Sequence, residues 1–375
     1  MSSQFGLNNI NILLKTIKFY MNMNAILLQD WSLPSTIWAI VFIIISALST
    51  SGLILMLLPT FRRYALAHPN ARSSHRIATP QGGGFAVILV ALGFYLFYFI
   101  AFYPELLSSS ILSVIVASSG LLVLGGIDDV RPLPASFRFF LQCSLITLII
   151  WHSSYDERLF PVTIPISIEK LIIVVALVWF INIVNFMDGI DLITTAQMLP
   201  VWGTILIFSS INHHLPLMVL SLCLIGSLIG FLPFNWPVAR LFMGDIGSLP
   251  LGLLTGWALL QLAYQTSVLV ALIPALYYLS DATITLITRL NNGEKIWIPH
   301  RSHFYQRACE NGRSVISVVS MIATANISLL MITSCAMAMR IVYNPLLIDG
   351  TSLAVACLIV KFLLRSLEKK PSSNR

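Results

Sequence analysis

Charged residues are scarce in this sequence. Only 10% of its 375 residues are Asp, Glu, Lys or Arg, whereas soluble globular proteins carry roughly 25%. Hydrophobic residues make up 57% of the chain, which excludes a soluble protein with a large core and predicts a membrane protein. The 22 basic residues outnumber the 15 acidic ones, but they lie in short loops between apolar runs. Membrane topology therefore explains the positive charge, and nucleic-acid binding is not needed to account for it.

Cysteine is also sparse. The chain has five cysteines, scattered and without a C-x-x-C pair, and no H-E-x-x-H sequence occurs. A disulfide framework and a zinc hydrolase site are therefore both disfavoured.

What the sequence has instead is a series of apolar segments, each of about 15–23 residues and long enough for a membrane-spanning helix. We expect an all-α polytopic bundle of 10–11 transmembrane helices, with the active site formed by cytoplasmic loops. We interpret residues 36–366 as one transmembrane domain, 1–35 as an interfacial or dispensable segment and 367–375 as a cytoplasmic tail. The predicted spans are 36–58, 82–103, 109–127, 137–151, 170–185, 194–211, 216–233, 248–263, 267–287, 314–338 and 349–366.

The basic residues predict the orientation of this bundle. With eleven spans, one side holds seventeen Lys and Arg residues and the other side holds five. Because loops rich in Lys and Arg stay in the cytoplasm, the first side is predicted to be cytoplasmic and the N-terminus external. The loops of that side are 59–81, 128–136, 186–193, 234–247 and 288–313, together with the C-terminal end.

Five aspartates at or near the ends of apolar segments fall on this predicted cytoplasmic side. They are Asp128 and Asp129, Asp188 and Asp191, and Asp245. A carboxylate near bilayer depth costs several kcal/mol unless it is paired, solvated or bound to a cation. Adjacent acids repel each other unless a cation lies between them, and oxygen ligands favour Mg²⁺ or Mn²⁺ over zinc. Helix capping by Asp128–Asp129 or Asp245, and an ordinary interfacial loop at Asp188, are the alternatives.

Basic and polar residues share the same predicted face. The first loop contains Asn70, Arg72 and His75 and continues into Thr79-Pro80-Gln81-Gly82-Gly83-Gly84, a composition that suits phosphate oxygens. The last loop reads His300-Arg301-Ser302-His303, and two histidines flanking an arginine suggest anion binding or proton handling. A solvated, positively charged loop is the alternative for the first segment.

Acidic and basic clusters on one face favour phosphoryl transfer, in which carboxylates hold a metal on a pyrophosphate while Arg and His neutralise charge. An ion-coupled transporter is the main alternative, and it would place its acids near the bilayer midplane in broken helices.

Five segments together resemble the polyprenyl-phosphate N-acetylhexosamine-1-phosphate transferases, the MraY/WecA-like enzymes of glycosyltransferase family 4. The segments are P-N-x-R-S-S-H with T-P-x-G-G-G, G-x-D-D, N-F-M-D-G-I-D, F-N-W-P-x-A-R-x-F-M-G-D-x-G-S and H-R-S-H-x-Y-Q. The resemblance implies transfer of a sugar 1-phosphate from a UDP-N-acetylhexosamine to undecaprenyl phosphate, with release of UMP and a requirement for Mg²⁺ or Mn²⁺. It also implies a multi-pass protein of a bacterial inner membrane that starts O-antigen or a related surface polysaccharide. Oligomeric state stays open, with a homodimer as one alternative.

The resemblance also implies roles for individual residues. Asp245 and Asp188 correspond to metal-binding acids, Asp128, Asp129 and Asp188 to catalytic acids, and His300 to a catalytic histidine, with Asp128 expected to engage the lipid phosphate. The residues expected to bind substrate are Asn70, Arg72, His75, Asn182, Asn185, Asp191, Arg240, Arg301 and His303.

Three positions depart from the family pattern: Ala67 replaces a frequent aspartate, Gln81 a usual arginine and Leu192 a frequent glycine. The H-R-S-H loop lacks three adjacent histidines, which argues against the muramoyl-pentapeptide enzyme and favours the O-antigen-initiating branch, which uses UDP-GlcNAc or a 6-deoxy relative. Direct attack by the lipid phosphate is favoured over an aspartyl-phosphate intermediate, because the phosphate is already ionised. A transporter or flippase for a nucleotide-sugar or lipid-linked sugar, and an inactive scaffold, are the other function classes.

Overall fold

The computed structural model describes residues 33–67, 78–152, 158–161, 163–295 and 300–369. These residues are almost entirely helical, with one two-stranded antiparallel ribbon in which β1 (Leu66–Ala67) pairs with β2 (Thr79–Pro80). The helices are α1 (Leu33–Tyr64), α2 (Gly83–Phe102), α3 (Ser109–Val130), α4 (Ala135–His152), α5 (Ile166–Met187), α6 (Ile193–Ile211), α7 (Leu215–Asn235), α8 (Asp245–Gln265), α9 (Val268–Leu272), α10 (Leu276–Asn291), α11 (Phe304–Glu310), α12 (Val315–Met339) and α13 (Pro345–Glu368).

Eleven helices within the described part of the chain are long and apolar enough to cross a membrane. The ninth of these spans is composite, because α9 and α10 are joined by a 3-10 turn at Ile273–Ala275 that contains Pro274. Proline lacks the N–H that a continuous helix would need at that point. The structure confirms the all-α polytopic prediction, including the short spans near 137–151 and 194–233.

Helix α8 is the most enclosed of the eleven spans. It packs against α3 and α5 along most of its length and against α2 at its N-terminal end. The approach to α2 is close, because a Cβ added to Gly84 would lie 2.1 Å from the Cα of Gly247. The outer helices instead expose large apolar side chains, such as Phe362 on α13 at 75%, which suits contact with lipid. The chain is thus a multi-pass membrane protein built around a central helix that begins at Asp245.

Candidate active site

The N-terminus of α8 is capped by an aspartate from another helix. The two carboxylate oxygens of Asp129, at the end of α3, accept hydrogen bonds of 3.0 Å from the backbone N–H groups of Asp245 and Ile246. The first N–H groups of a helix have no partner within the helix, and the helix dipole favours a negative charge there. Asp129 therefore supplies the hydrogen-bond acceptors for the first N–H groups of α8, although it lies 116 residues before that helix in the sequence.

Asp245 is the first residue of α8 and not its N-cap. Gly244 occupies the cap position with φ 76°, in the left-handed region that favours glycine. A Cβ at Gly244 would also lie 2.6 Å from a carboxylate oxygen of Asp129. The alternative in which Asp245 caps its own helix does not hold, because Asp129 supplies the acceptors, and the side chain of Asp245 is left for other contacts.

Arg138 links the two acidic segments. Its guanidinium lies 2.5 Å from Oδ2 of Asp128 and 3.6 Å from Oδ2 of Asp245. The other oxygen of Asp128 accepts a 2.6 Å hydrogen bond from the backbone N–H of Leu133. Both oxygens of Asp128 are therefore held by protein donors, and one arginine offsets the charge of two aspartates.

Asn185 joins the D-G-I-D segment to the same cluster. Its side-chain amide donates to Oδ1 of Asp245 at 2.7 Å and to the Ser248 hydroxyl at 2.9 Å. Asn185 lies in the last turn of α5 and Ser248 in the first turn of α8. The sequence prediction that Asn185 belongs to the site around Asp245 is consistent with this contact.

Asp188 follows α5 directly, and its Oδ1 accepts a hydrogen bond from the Thr194 hydroxyl. The pKa of this carboxyl is raised to about 6, chiefly by burial and also by the nearby charges of Asp129 and Asp191, while the Thr194 hydrogen bond opposes the shift. The surroundings of Asp188 favour the neutral form of its carboxyl, so a bound cation would stabilise the ionised form.

The donors of this cluster suit Mg²⁺ in chemistry, because Asp188, Asp245 and Asn185 offer only oxygen ligands. Among the described residues, no three acidic, histidine or cysteine side chains lie close enough to enclose a metal by themselves. Mg²⁺ is commonly held by one or two carboxylates together with substrate phosphates, so an open arrangement fits it. Asp188 and Asp245 are the residues that could hold the ion.

Two residues that the sequence predicts to bind substrate make structural contacts instead. Asn182 donates to the side-chain oxygen of Gln142 on α4 at 2.7 Å and to the backbone of Val178 at 2.8 Å. Asp191 accepts a 3.0 Å hydrogen bond from the backbone N–H of Ala239 and so ties its loop to the 236–244 segment. Substrate contacts by Asn182 and Asp191 stay predictions.

Leu192 is one of the three departures from the family pattern, and the structure gives it φ 65°, a conformation that glycine adopts freely. Its backbone N–H donates to Oδ1 of Asn235 at 2.7 Å. The amide of Asn235 also donates to the Leu241 carbonyl at 3.0 Å. Asn235 thereby holds Leu192 in this turn, which the sequence reasoning did not foresee.

The three glycines of T-P-Q-G-G-G do not form the expected phosphate-binding backbone. Gly82 and Gly83 donate their N–H groups to the Phe242 carbonyl at 3.2 and 2.9 Å, and Gly84 donates to the Met243 carbonyl at 2.9 Å. The glycine interpretation is wrong, because these donors are used to pair the segment with the M-G-D loop. Gln81 takes part, donating to the Asp129 carbonyl at 2.9 Å.

The histidine loop adjoins this cluster through Tyr305. The Tyr305 hydroxyl donates to the Phe186 carbonyl at 3.3 Å, and a Cβ on Gly189 would lie 2.2 Å from the same hydroxyl. The rings of His300 and His303 lie 4.9 Å apart between centroids. The structure therefore places Tyr305 beside the D-G-I-D segment, and the two histidine rings lie against each other on the chain that leads to it.

The remaining predicted residues are less closely joined to this cluster. Arg301 lies 3.9 Å from Glu310, and Arg240 is exposed, donates to the Pro233 carbonyl at 3.1 Å and stacks over Phe234. The predicted contacts by Asn70, Arg72 and His75 fall outside the described residues.

Sequence reasoning missed three residues of the site: Arg138, Thr194 and Asp281. In the sequence, Arg138 is one of the seventeen basic residues that predict the membrane orientation, and Thr194 belongs to none of the five motif segments. Asp281 could have been found, since it is an acid inside an apolar span and such acids are expensive unless they are used.

Comparison with known proteins agrees with this geometry. Residues 111–263 match the model of glycosyl transferase family 4. The decaprenyl-phosphate N-acetylglucosaminephosphotransferase of Mycobacterium leprae is 29% identical over 70% of this chain and 74% of its own length. The probable undecaprenyl-phosphate N-acetylglucosaminyl 1-phosphate transferase of Bacillus subtilis is 26% identical over 70% and 75%. The phospho-N-acetylmuramoyl-pentapeptide-transferase of Streptococcus gordonii is 26% identical over 70% and 87%.

The matched region contains Asp128, Asp129, Asn185, Asp188 and Asp245, which are the residues that the structure brings together around the start of α8. Motif order, geometry and relatives thus agree. The chain is therefore similar to glycosyl transferase family 4 over residues 111–263, and to the polyprenyl-phosphate N-acetylhexosamine-1-phosphate transferases that its motifs resemble.

Proposed function

We propose that this chain transfers a sugar 1-phosphate from a UDP-N-acetylhexosamine to undecaprenyl phosphate and releases UMP. The observation that carries the proposal is the junction at the start of α8, where Asp129 caps the helix, Asn185 holds Asp245 and Arg138 bridges Asp245 to Asp128. The names of the relatives support transfer of an N-acetylhexosamine phosphate to a polyprenyl phosphate. The donor sugar is UDP-GlcNAc or a 6-deoxy relative, and the product starts an O-antigen or related surface polysaccharide.

Asp188 and Asp245 would hold Mg²⁺, with Mn²⁺ as a substitute. When bound on the pyrophosphate, the ion offsets its negative charge and makes UMP a better leaving group. The raised pKa of Asp188 supports this assignment, because a carboxyl destabilised in its ionised form gains from a neighbouring cation.

The chain itself supplies charge and position. Arg138 is a permanent cation beside Asp128 and Asp245, and a guanidinium can donate two hydrogen bonds to phosphate oxygens at once. His300 and Arg301 lie in the loop next to Asp188 and contact the sugar nucleotide. Asp129 and Asn185 keep Asp245 in place.

Direct attack is the favoured route. An oxygen of the lipid phosphate forms a bond to the β-phosphorus, and the bond from the β-phosphorus to the bridging oxygen breaks, so that UMP leaves with the electron pair. Both oxygens of Asp128 and both of Asp129 already accept hydrogen bonds from protein donors, which makes either aspartate a poor nucleophile. The lipid phosphate is ionised at neutral pH and needs positioning more than activation.

The enzyme works in the cytoplasmic membrane of a bacterium with its site facing the cytoplasm. The unequal distribution of Lys and Arg between the two sides of the bundle supports this orientation.

The test is UMP release by the purified protein with undecaprenyl phosphate, Mg²⁺ and a panel of UDP-N-acetylhexosamines, with and without EDTA. We expect UMP that depends on lipid and metal, from one sugar in the panel, and none from Asp245→Ala at any Mg²⁺ concentration. A transporter or flippase would yield no UMP. Near-normal release by the Asp245 variant would overturn the metal assignment.

A further inference from the structure

Asp281 is a fully buried acid on α10 that the proposed mechanism does not use. Its carboxylate meets four donors. Oδ1 lies 3.1 Å from Nδ1 of His303, 3.1 Å from the backbone nitrogen of Phe304 and 3.4 Å from the Thr285 hydroxyl, and Oδ2 accepts from the Tyr277 hydroxyl at 3.1 Å. Three of the four donors converge on Oδ1, the oxygen that meets His303 and Phe304, and one meets Oδ2.

This environment sets the tautomer of His303. Oδ1 of Asp281 already accepts from the Phe304 N–H, so it acts as an acceptor toward the imidazole as well. The shared hydrogen must therefore be on Nδ1, and Nε2 is left as the ring nitrogen that Asp281 does not engage. A carboxylate that fixes a histidine tautomer in this way is a common means of orienting the ring.

The same carboxylate also anchors the start of α11. Phe304 is the first residue of that helix, and His303 at its N-cap makes no side-chain capping hydrogen bond. His303 in turn stacks on Tyr305, with ring centroids 5.7 Å apart and planes inclined by 17°, and lies against His300. One buried side chain thus controls two consecutive residues of the histidine loop, and through them its neighbours.

We propose that Asp281 is a positioning residue for the sugar-phosphate transfer: it fixes the tautomer of His303 and the start of α11, and thereby holds the histidine loop, through Tyr305, against the Asp188 loop. This inference rests on the proposed function for its kinetic consequence. Its structural content, the Nδ1–H tautomer, stands independently of any activity.

The first experiment reads that tautomer directly. Protein labelled with ¹⁵N-histidine is reconstituted in lipid, and the His303 ring signals are assigned by their loss in His303→Gln. We expect wild-type His303 as the Nδ1–H tautomer. The Nε2–H tautomer in the wild-type protein would overturn the proposal, whether or not any variant folds and whether or not UMP is released.

The second experiment compares Asp281→Asn with Tyr277→Phe. Asparagine carries no negative charge and can turn its NH2 group toward the ring, so His303 should lose its Nδ1–H preference. We expect kcat to fall by about 10–100-fold, the range for removal of a side chain that orients a metal-bound histidine. Tyr277→Phe removes a donor to the other oxygen of the same carboxylate and leaves Oδ1, which meets His303 and Phe304, in place. It should keep the Nδ1–H tautomer and a kcat within about threefold of wild type.

Asp281→Asn with unchanged kcat and tautomer would overturn the proposal, as would an equal loss in the two variants. If the wild-type protein releases no UMP, the proposed function fails while the tautomer measurement still decides the role of Asp281. If Asp281→Asn does not fold, the wild-type spectrum decides it alone.

Discussion

The carboxylate of Asp129 lies 3.0 Å from the backbone nitrogen of Asp245 and accepts its hydrogen bond. This one contact joins the D-D segment at the end of α3 to the G-D segment at the start of α8. Two motifs that are separate in sequence are therefore parts of one structural unit, and the position of the proposed metal ligand depends on the acid that caps its helix.

Loss of this cap should cost both stability and activity. Asp129→Ala leaves two N–H groups at the start of α8 without their acceptor, which we expect to destabilise the protein by about 2 kcal/mol and to lower the thermal unfolding midpoint by several degrees. Thermal unfolding in detergent and UMP release would be measured on the same preparations.

Ser108→Ala is the matched control. Ser108 caps α3 at its other end, where its hydroxyl accepts from the Ile111 N–H at 3.3 Å. This variant should lose about 1 kcal/mol of stability and keep full turnover. Equal loss of activity in the two variants would mean that Asp129 acts only through global stability.

Metal binding should weaken as the pH falls through 6. The Asp188 carboxyl, whose pKa burial raises to about 6, must be ionised to hold a cation, so protons compete with the metal below that pH. The Mg²⁺ concentration for half-maximal activity should rise by about threefold between pH 6.5 and 5.5, because the ionised fraction of a carboxyl with a pKa of about 6 falls by that factor, and metal activation curves at several pH values would measure it. A half-maximal concentration independent of pH would remove Asp188 from the metal site.

Thr194→Val sharpens this test. The Thr194 hydroxyl stabilises the ionised form of Asp188, so its removal should raise the pKa of that carboxyl. The loss of metal activation at low pH should then begin at a higher pH. Thr195→Val is the control, because the buried Thr195 hydroxyl has no hydrogen-bond partner among the described residues. An identical shift in the two variants would contradict the role of the Thr194 hydrogen bond.

At position 192, glycine should give a more stable protein than alanine. A left-handed conformation costs an L-residue about 1–2 kcal/mol, and the φ of 65° at Leu192 is in this region. Both Leu192→Ala and Leu192→Gly lose the buried leucine side chain, but only glycine relieves the backbone. The glycine variant should therefore unfold at a higher temperature than the alanine variant.

The neighbouring helix supplies the reference for this comparison. Ala196→Gly lies inside α6 and should lower stability by about 1 kcal/mol, because glycine is unfavourable in a regular helix. If glycine at position 192 were also the less stable choice, the turn would not have the conformation described.

Asn182 carries two competing predictions, a stabilising role from its contact with Gln142 and a substrate contact from its motif. Its amide pairs with Gln142 between α5 and α4, so Asn182→Leu should lower stability without changing KM for the UDP-sugar. A double-mutant cycle with Gln142→Leu should give a coupling of about 0.5–1.5 kcal/mol, as for other hydrogen bonds between membrane helices. A several-fold rise in KM in Asn182→Leu would restore the substrate-binding role.

The sequence alone predicts the spans and the acids of the site well, for identifiable reasons. Apolar segments such as 109–127 are dictated by bilayer thickness, and the structure has helix α3 over Ser109–Val130. Asp128, Asp188 and Asp245 stand out because an acid near an apolar helix end needs an explanation. Local rules of this kind need no knowledge of which helices are neighbours.

The sequence could not show which residues form hydrogen bonds with one another. The partner of Asn182 is 40 residues away and that of Asp129 is 116 residues away. The glycines of T-P-Q-G-G-G suggested anion binding because loose backbone N–H groups suit phosphate, yet those groups are used by the M-G-D loop. Whether a donor is free or already satisfied is decided by tertiary contacts, which no motif encodes.

The central claim is that phosphorus moves together with the sugar. Purified protein would be given UDP-N-acetylglucosamine labelled with ³²P at the β-phosphorus, undecaprenyl phosphate and Mg²⁺, and label would be followed in the lipid and nucleotide fractions. We predict label in the lipid product with an equal amount of unlabelled UMP. Label that stays in UDP while the sugar moves to the lipid, or a donor that returns intact, would contradict the account.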